Sequence, residues 1–140
     1  MDIEKMTKIA ELCTTHLTAG SNYAQLSDYK SAIQEFTKVI DLLPEYINLT
    51  IEFNKSDAPL ELKNINIDNL KNHATLAYTG RAMSYLSAGE ETKAKSDMNM
   101  ADKIKNKTSL EEIKSELTGG GAAGCITIIV IIFLIYMFLR

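Results

Sequence analysis

The chain has 140 residues, of which 46% are apolar and 24% charged, with a net charge of −3. That length fits one small domain, and that composition excludes a disordered tail or a fibrous repeat. Ahead of Gly119 the chain carries 14 Lys and Arg against 18 Asp and Glu, a net charge of −4; a mildly acidic domain lacks the clustered cations that phosphate contacts need, so nucleic acid is not an expected partner.

Two cysteines, Cys13 and Cys125, lie on opposite sides of everything that must fold, which excludes a disulfide framework and suits a reducing compartment. The stretch from Met1 to Lys8 has no apolar run behind a basic start, so no signal peptide is expected. Apolar residues then recur at Ile3, Met6, Ile9, Ala10, Cys13, Leu17, Ala24 and Leu26, close to a helical period, with Asp2 placed to cap. One long helix to about Leu26 is predicted. Ser27-Asp28 breaks and recaps the chain, and Tyr29, Ala32, Ile33, Phe36, Val39, Ile40 and Leu43 form the stripe of a second, antiparallel helix that Pro44 is expected to stop.

From Ile47 the pattern changes. Ile47, Leu49, Ile51 and Phe53 alternate with Asn48, Thr50 and Glu52, and Leu60, Leu62, Ile65 and Ile67 nearly repeat the alternation. With turn residues across 54–59, this predicts a β-hairpin, an irregular segment or an extended helix being the alternatives. Asp68 is expected to cap a helix carrying Leu70, Ala74, Leu76 and Ala77, Glu90-Glu91 to begin another, and Ser109-Leu-Glu-Glu to box the start of a last one with Leu110, Ile113 and Leu117 on one face.

Beyond Thr118, residues 119–121 are Gly-Gly-Gly, a linker composition. Residues 122–139 contain no charge and would span roughly 27 Å as a helix, one hydrocarbon crossing, so 122–140 is expected to be a transmembrane tail anchor. Lys103, Lys105, Lys107 and Lys114 precede the run and Arg140 alone follows it, which orients the N-terminal domain to the cytosol. Cys125, at the cytosolic edge, is a candidate for reversible lipidation. Three sequons, at Asn48, Asn54 and Asn106, have no glycosylation role in a cytosolic domain.

Gly20, Tyr23, Tyr29, Ala32, Phe36 and Pro44 resemble the tetratricopeptide repeat (TPR), with small residues at the helix crossing and aromatic residues around it. On the family's period the first repeat is 13–46, and a second fits 75–108, with Ala82, Tyr85, Gly89, Ala94, Met98 and Ala101 in the corresponding places; 47–74 intervenes as an insertion. The expected fold is therefore all-α over 1–118: two TPR-like helical hairpins with an inserted β-hairpin and a capping helix, followed by a C-terminal transmembrane helix.

His16 and His73 sit in helical patterns with no Cys or carboxylate at metal-ligand spacing, no phosphate-cradling loop precedes a helix, and no nucleophile motif occurs. Neither enzyme activity, metal, cofactor nor small-molecule substrate is expected. What remains is a surface. The resemblance implies a peptide-binding groove lined by Thr14, Leu17, Ser21, Ala24 and Gln25 in the first repeat and Leu76, Thr79, Met83, Leu86 and Ser87 in the second. Chaperone-binding members of the family hold a peptide carboxylate with Lys and Asn where this chain has Leu17, Ser21 and Gly80, so that clamp is missing, and the apolar positions suit an amphipathic helix instead. The function expected is a tail-anchored receptor or adaptor on the cytosolic face of the mitochondrial outer membrane or endoplasmic reticulum, similar to mitochondrial import receptors and fission adaptors. The alternatives are a structural subunit of a membrane or viral-envelope complex, assembling through the hairpin and helical surface, and a membrane-bound co-chaperone.

Overall fold

The structure, a computed structural model, describes residues 3–118 and 134–137. Five helices follow one another: α1 (Ile3–Gln25), α2 (Tyr29–Asn54), α3 (Leu60–Ser87), α4 (Glu91–Asn106) and α5 (Leu110–Leu117), and 134–137 are also helical. α1 packs on α2, α2 on α3 and α3 on α4, while α1 and α3 touch side by side and α5 covers α2 and α4.

The two α-hairpins close with one turn design. At the first, Ser27 takes a positive φ of 59°, its N–H bonds to Ala24 O and the Asp28 N–H bonds back to Tyr23 O at 2.9 Å; Asp28 then accepts from the Ser31 N–H to start α2. At the second, Gly89 has φ 84°, its N–H bonds to Leu86 O and the Glu90 N–H bonds to Tyr85 O at 2.8 Å. Gly89 lies 62 positions after Ser27, the spacing that also relates Ala32 to Ala94, both buried. The two hairpins are consistent with a helical repeat.

The segment expected as a β-hairpin is helical on both sides of a turn at 55–59, and no strand occurs among the described residues. Residues 47–54 continue α2 and 60–67 begin α3, joined by a turn in which Ser56 Oγ donates to Phe53 O and accepts from the Ala58 N–H. Thr50 explains the misreading. It is buried beside Tyr46, Ile47 and Phe53, its hydroxyl satisfied by donating to Tyr46 O at 2.8 Å. Counted as an inward residue, it turns the two-residue alternation into the three-and-four spacing of a helix.

Pro44 does not stop α2 but lies inside it. An interior proline costs about 3 kcal/mol, whereas each large apolar side chain buried beyond it contributes about 1.5–3 kcal/mol, and Tyr46, Ile47 and Phe53 are all buried. Nor does Asp68 cap a helix; α3 has already started at Leu60, behind Pro59. The Ser109 cap is present, its Oγ accepting from the Glu112 N–H, and α5 covers the stack through Leu110 and Ile113.

The core gathers Cys13 from α1, Val39, Leu43 and Ile47 from α2, Leu70, Ala74 and Ala77 from α3, Ala101 and Ile104 from α4, and Ile113 from α5. A buried ion pair ties α3 to α4: Arg81 Nε and Nη2 donate to the two oxygens of Asp97 at 2.7 and 2.8 Å, and Nη1 reaches Thr37 Oγ1 on α2 at 3.2 Å. The Tyr78 and Tyr85 rings lie 5.7 Å from the guanidinium. No helix among the described residues is long and apolar enough to cross a membrane. The expected anchor at 122–140, Cys125 with it, falls outside the described residues except for 134–137.

Candidate functional site

α1 and α3 run alongside each other in the same sense, Thr14 beside His73 and Ser21 beside Gly80, and their shared surface is concave. Phe36 sets its floor. This ring, 4% exposed, is held between two mid-helix glycines: a Cβ at residue 20 would stand 2.8 Å from Cε1, and one at residue 80 only 2.5 Å from Cζ. Gly20 and Gly80 thus let α1 and α3 close on a single ring.

Above that floor lies a depression of about 370 Å³ lined by Ser21, Ala24, Gln25, Tyr29, Phe36, Gly80, Met83, Ser84 and Ser87. None of these is charged. A second, broader depression of about 630 Å³ is lined mainly by polar residues, Thr7, Glu11, Thr14, Thr15, Asn69 and His73 among them.

Of the residues expected to line a groove, Ser21, Ala24, Gln25, Met83 and Ser87 meet in the first depression, and Thr14 lies in the second. Leu17 is half-buried and packs on the core. Leu76 and Leu86 are 57% and 59% exposed on α3, outside both depressions, and Thr79 is half-buried there. Tyr23, expected to fill the helix crossing, is instead 39% exposed. Gly80, placed at a clamp position by the resemblance, also lines the first depression, whereas sequence reasoning missed Tyr29, Phe36 and Ser84 as groove residues. Gly80 carried a usable signal, because a glycine amid good helix formers reports close approach.

Both histidines are tied to partners distant in sequence. His16 Nδ1 meets Glu35 Oε2 at 2.6 Å, and Lys38 Nζ meets the other Glu35 oxygen at 2.6 Å. The Lys38 hydrogen bond, with a lesser contribution from His16, holds the Glu35 carboxyl below its ordinary range despite the opposing cost of burial. His73 Nε2 lies 3.2 Å from Thr14 Oγ1 and Nδ1 lies 3.3 Å from Tyr46 OH. Thr14 Oγ1 spends its proton on Ala10 O, so it accepts from His73 Nε2–H, and Nδ1 accepts from Tyr46 O–H. Burial lowers the His73 pKa and pushes Tyr46 up to about 12 and Cys13 up to about 11. A neutral imidazole bridging two hydroxyls is a fastening between α1, α2 and α3, and the buried, protonated Cys13 thiol is a poor nucleophile.

Among the described residues, no cluster of three or more His, Cys, Asp and Glu could hold a metal ion. No protein-family model, no curated protein and no solved structure matches the chain.

Proposed function

We propose that the chain is a TPR-like receptor or adaptor, attached to an intracellular membrane through the apolar run 122–139, that captures an apolar segment of a protein partner between α1 and α3. The observation that carries this reading is the uncharged depression over Phe36, with Met83 on its rim 63% exposed. A large methionine left in water beside a concave apolar floor suits varied nonpolar side chains of an amphipathic helix. The two helical hairpins and the buried small residues Ala32 and Ala94 support membership in the TPR family. Lysines 103, 105, 107 and 114 ahead of the apolar run favour a cytosolic position for the domain, at the mitochondrial outer membrane or endoplasmic reticulum.

The test is affinity capture from detergent extract by the full chain and by its Met83→Glu variant. The exposed position tolerates the new carboxylate, while a partner would have to desolvate it. A partner held by the intact chain and lost by the variant supports the groove; a partner held equally by both refutes it.

A further inference from the structure

α3 is apolar on two faces. One carries Leu70, Ala74, Ala77 and Ala82 into the domain, all essentially inaccessible. The other carries Leu62, Ile65, Leu76, Met83 and Leu86, between 47% and 63% exposed, which nothing in the domain covers. With Asn69, Asn72 and Thr79 these positions follow an unbroken alternation of three and four residues from 62 to 86. That is the seam of a coiled coil, sustained for about three and a half heptads and roughly 36 Å.

We propose that this seam takes the α3 helix of a second copy of the chain. Three features select a copy of itself. First, no seam position is charged, so pairing identical seams opposes no like charges. Second, Asn69 and Asn72 are both exposed, and the amide of each is donor and acceptor at once, so it is satisfied by an identical amide across the seam. Two α3 helices aligned in one direction bring every layer against itself; reversed about the asparagines, they still oppose Asn69 to Asn72 and Ile65 to Leu76. A uniformly apolar partner helix would bury both amides unpaired. Third, five of the eight seam positions are large apolar side chains 47% to 63% exposed, so pairing two identical seams takes apolar surface out of water on both copies at once. Paired asparagines fix register and oligomeric state at a cost in affinity, which makes this a reversible association.

The N-terminal half of the seam lies away from the depression over Phe36, whereas Met83 belongs to both. Self-association therefore occludes the groove from its α3 side and competes with a partner there. The self-association itself does not depend on the groove reading.

The experiment is sedimentation equilibrium of the full chain in density-matched detergent over a wide concentration range, with two variants whose folding is checked by circular dichroism. A dimer is expected, with Leu62→Glu/Ile65→Glu weakening it at least tenfold and Asn69→Leu/Asn72→Leu tightening it at least tenfold. Neither variant touches the uncharged depression, so failure here leaves the groove reading standing, and failure of Met83→Glu to release a partner leaves this one standing. A monomer at every concentration, or a dimer indifferent to both variants, overturns the proposal; the latter places the contact in the apolar run instead.

Discussion

Replacing Gly80 by alanine pits two effects of opposite sign against each other. In an open helix the change gains about 1 kcal/mol from helix propensity. At residue 80 the new Cβ would stand 2.5 Å from Phe36 Cζ and 2.6 Å from Cε1, and the ring cannot retreat toward α1, where Gly20 already approaches it closely. Overpacking of this kind costs about 1–3 kcal/mol. A net loss of about 1 kcal/mol is expected, lowering Tm by about 4 °C or more for a domain of this size. The assay is thermal and urea denaturation followed by circular dichroism on the full chain in mild detergent. Phe36→Leu opens the space, so in that background Gly80→Ala should stabilise by about 1 kcal/mol. An increase in Tm when Gly80→Ala is made with Phe36 intact, or a sign that does not depend on residue 36, would refute the packing of Phe36 between the glycines.

Asp97→Ala strands the Arg81 guanidinium with its side chain 17% exposed, and a loss of about 3–5 kcal/mol in urea unfolding is expected, largely recovered when Arg81→Leu is added. His73 has a folded pKa below its unfolded value of 6.5, so the unfolded state binds the proton more readily. Stability from this residue is full above pH 6.5 and is lost as pH falls from there toward the folded value; urea midpoints between pH 8 and 5 should show that slope in the native chain and not in His73→Gln. A peptide ending in Glu-Glu-Val-Asp should show no saturable binding at micromolar concentration, because the depression offers its carboxylates no cation; micromolar, salt-sensitive binding measured by calorimetry would restore the co-chaperone alternative.

The two hairpin turns and the caps at Asp28 and Ser109 were legible because each depends on a few adjacent residues with one physical role. The stretch 47–67 was not, because its apolar residues satisfy two periods and the deciding residue, Thr50, is polar in type but buried in fact. Pro44 misled for a related reason: local propensity argued for an end, and packing beyond it outweighed the local cost. In the groove, α1 and α3 face each other at a constant sequence offset, so a repeat period could bring Ser21, Gln25 and Met83 to one place. The contacts of His16 with Glu35 and of Arg81 with Asp97 could not be read that way, since nothing local pairs one exposed-type residue with another 16 or 19 positions away. Leu17 shows the remaining gap: its place on the helix was clear, but whether it faced a ligand or the core depended on how far α1 is rotated against its neighbours.

The most direct measurement is the affinity of the captured partner for the full chain and for Met83→Glu, titrated at two salt concentrations with both proteins shown to be equally folded. Losing one buried apolar side chain and desolvating a carboxylate should weaken binding at least about tenfold, equivalent to about 1.4 kcal/mol, with little dependence on salt. Equal affinities, or an affinity governed by salt, would contradict an apolar site between α1 and α3.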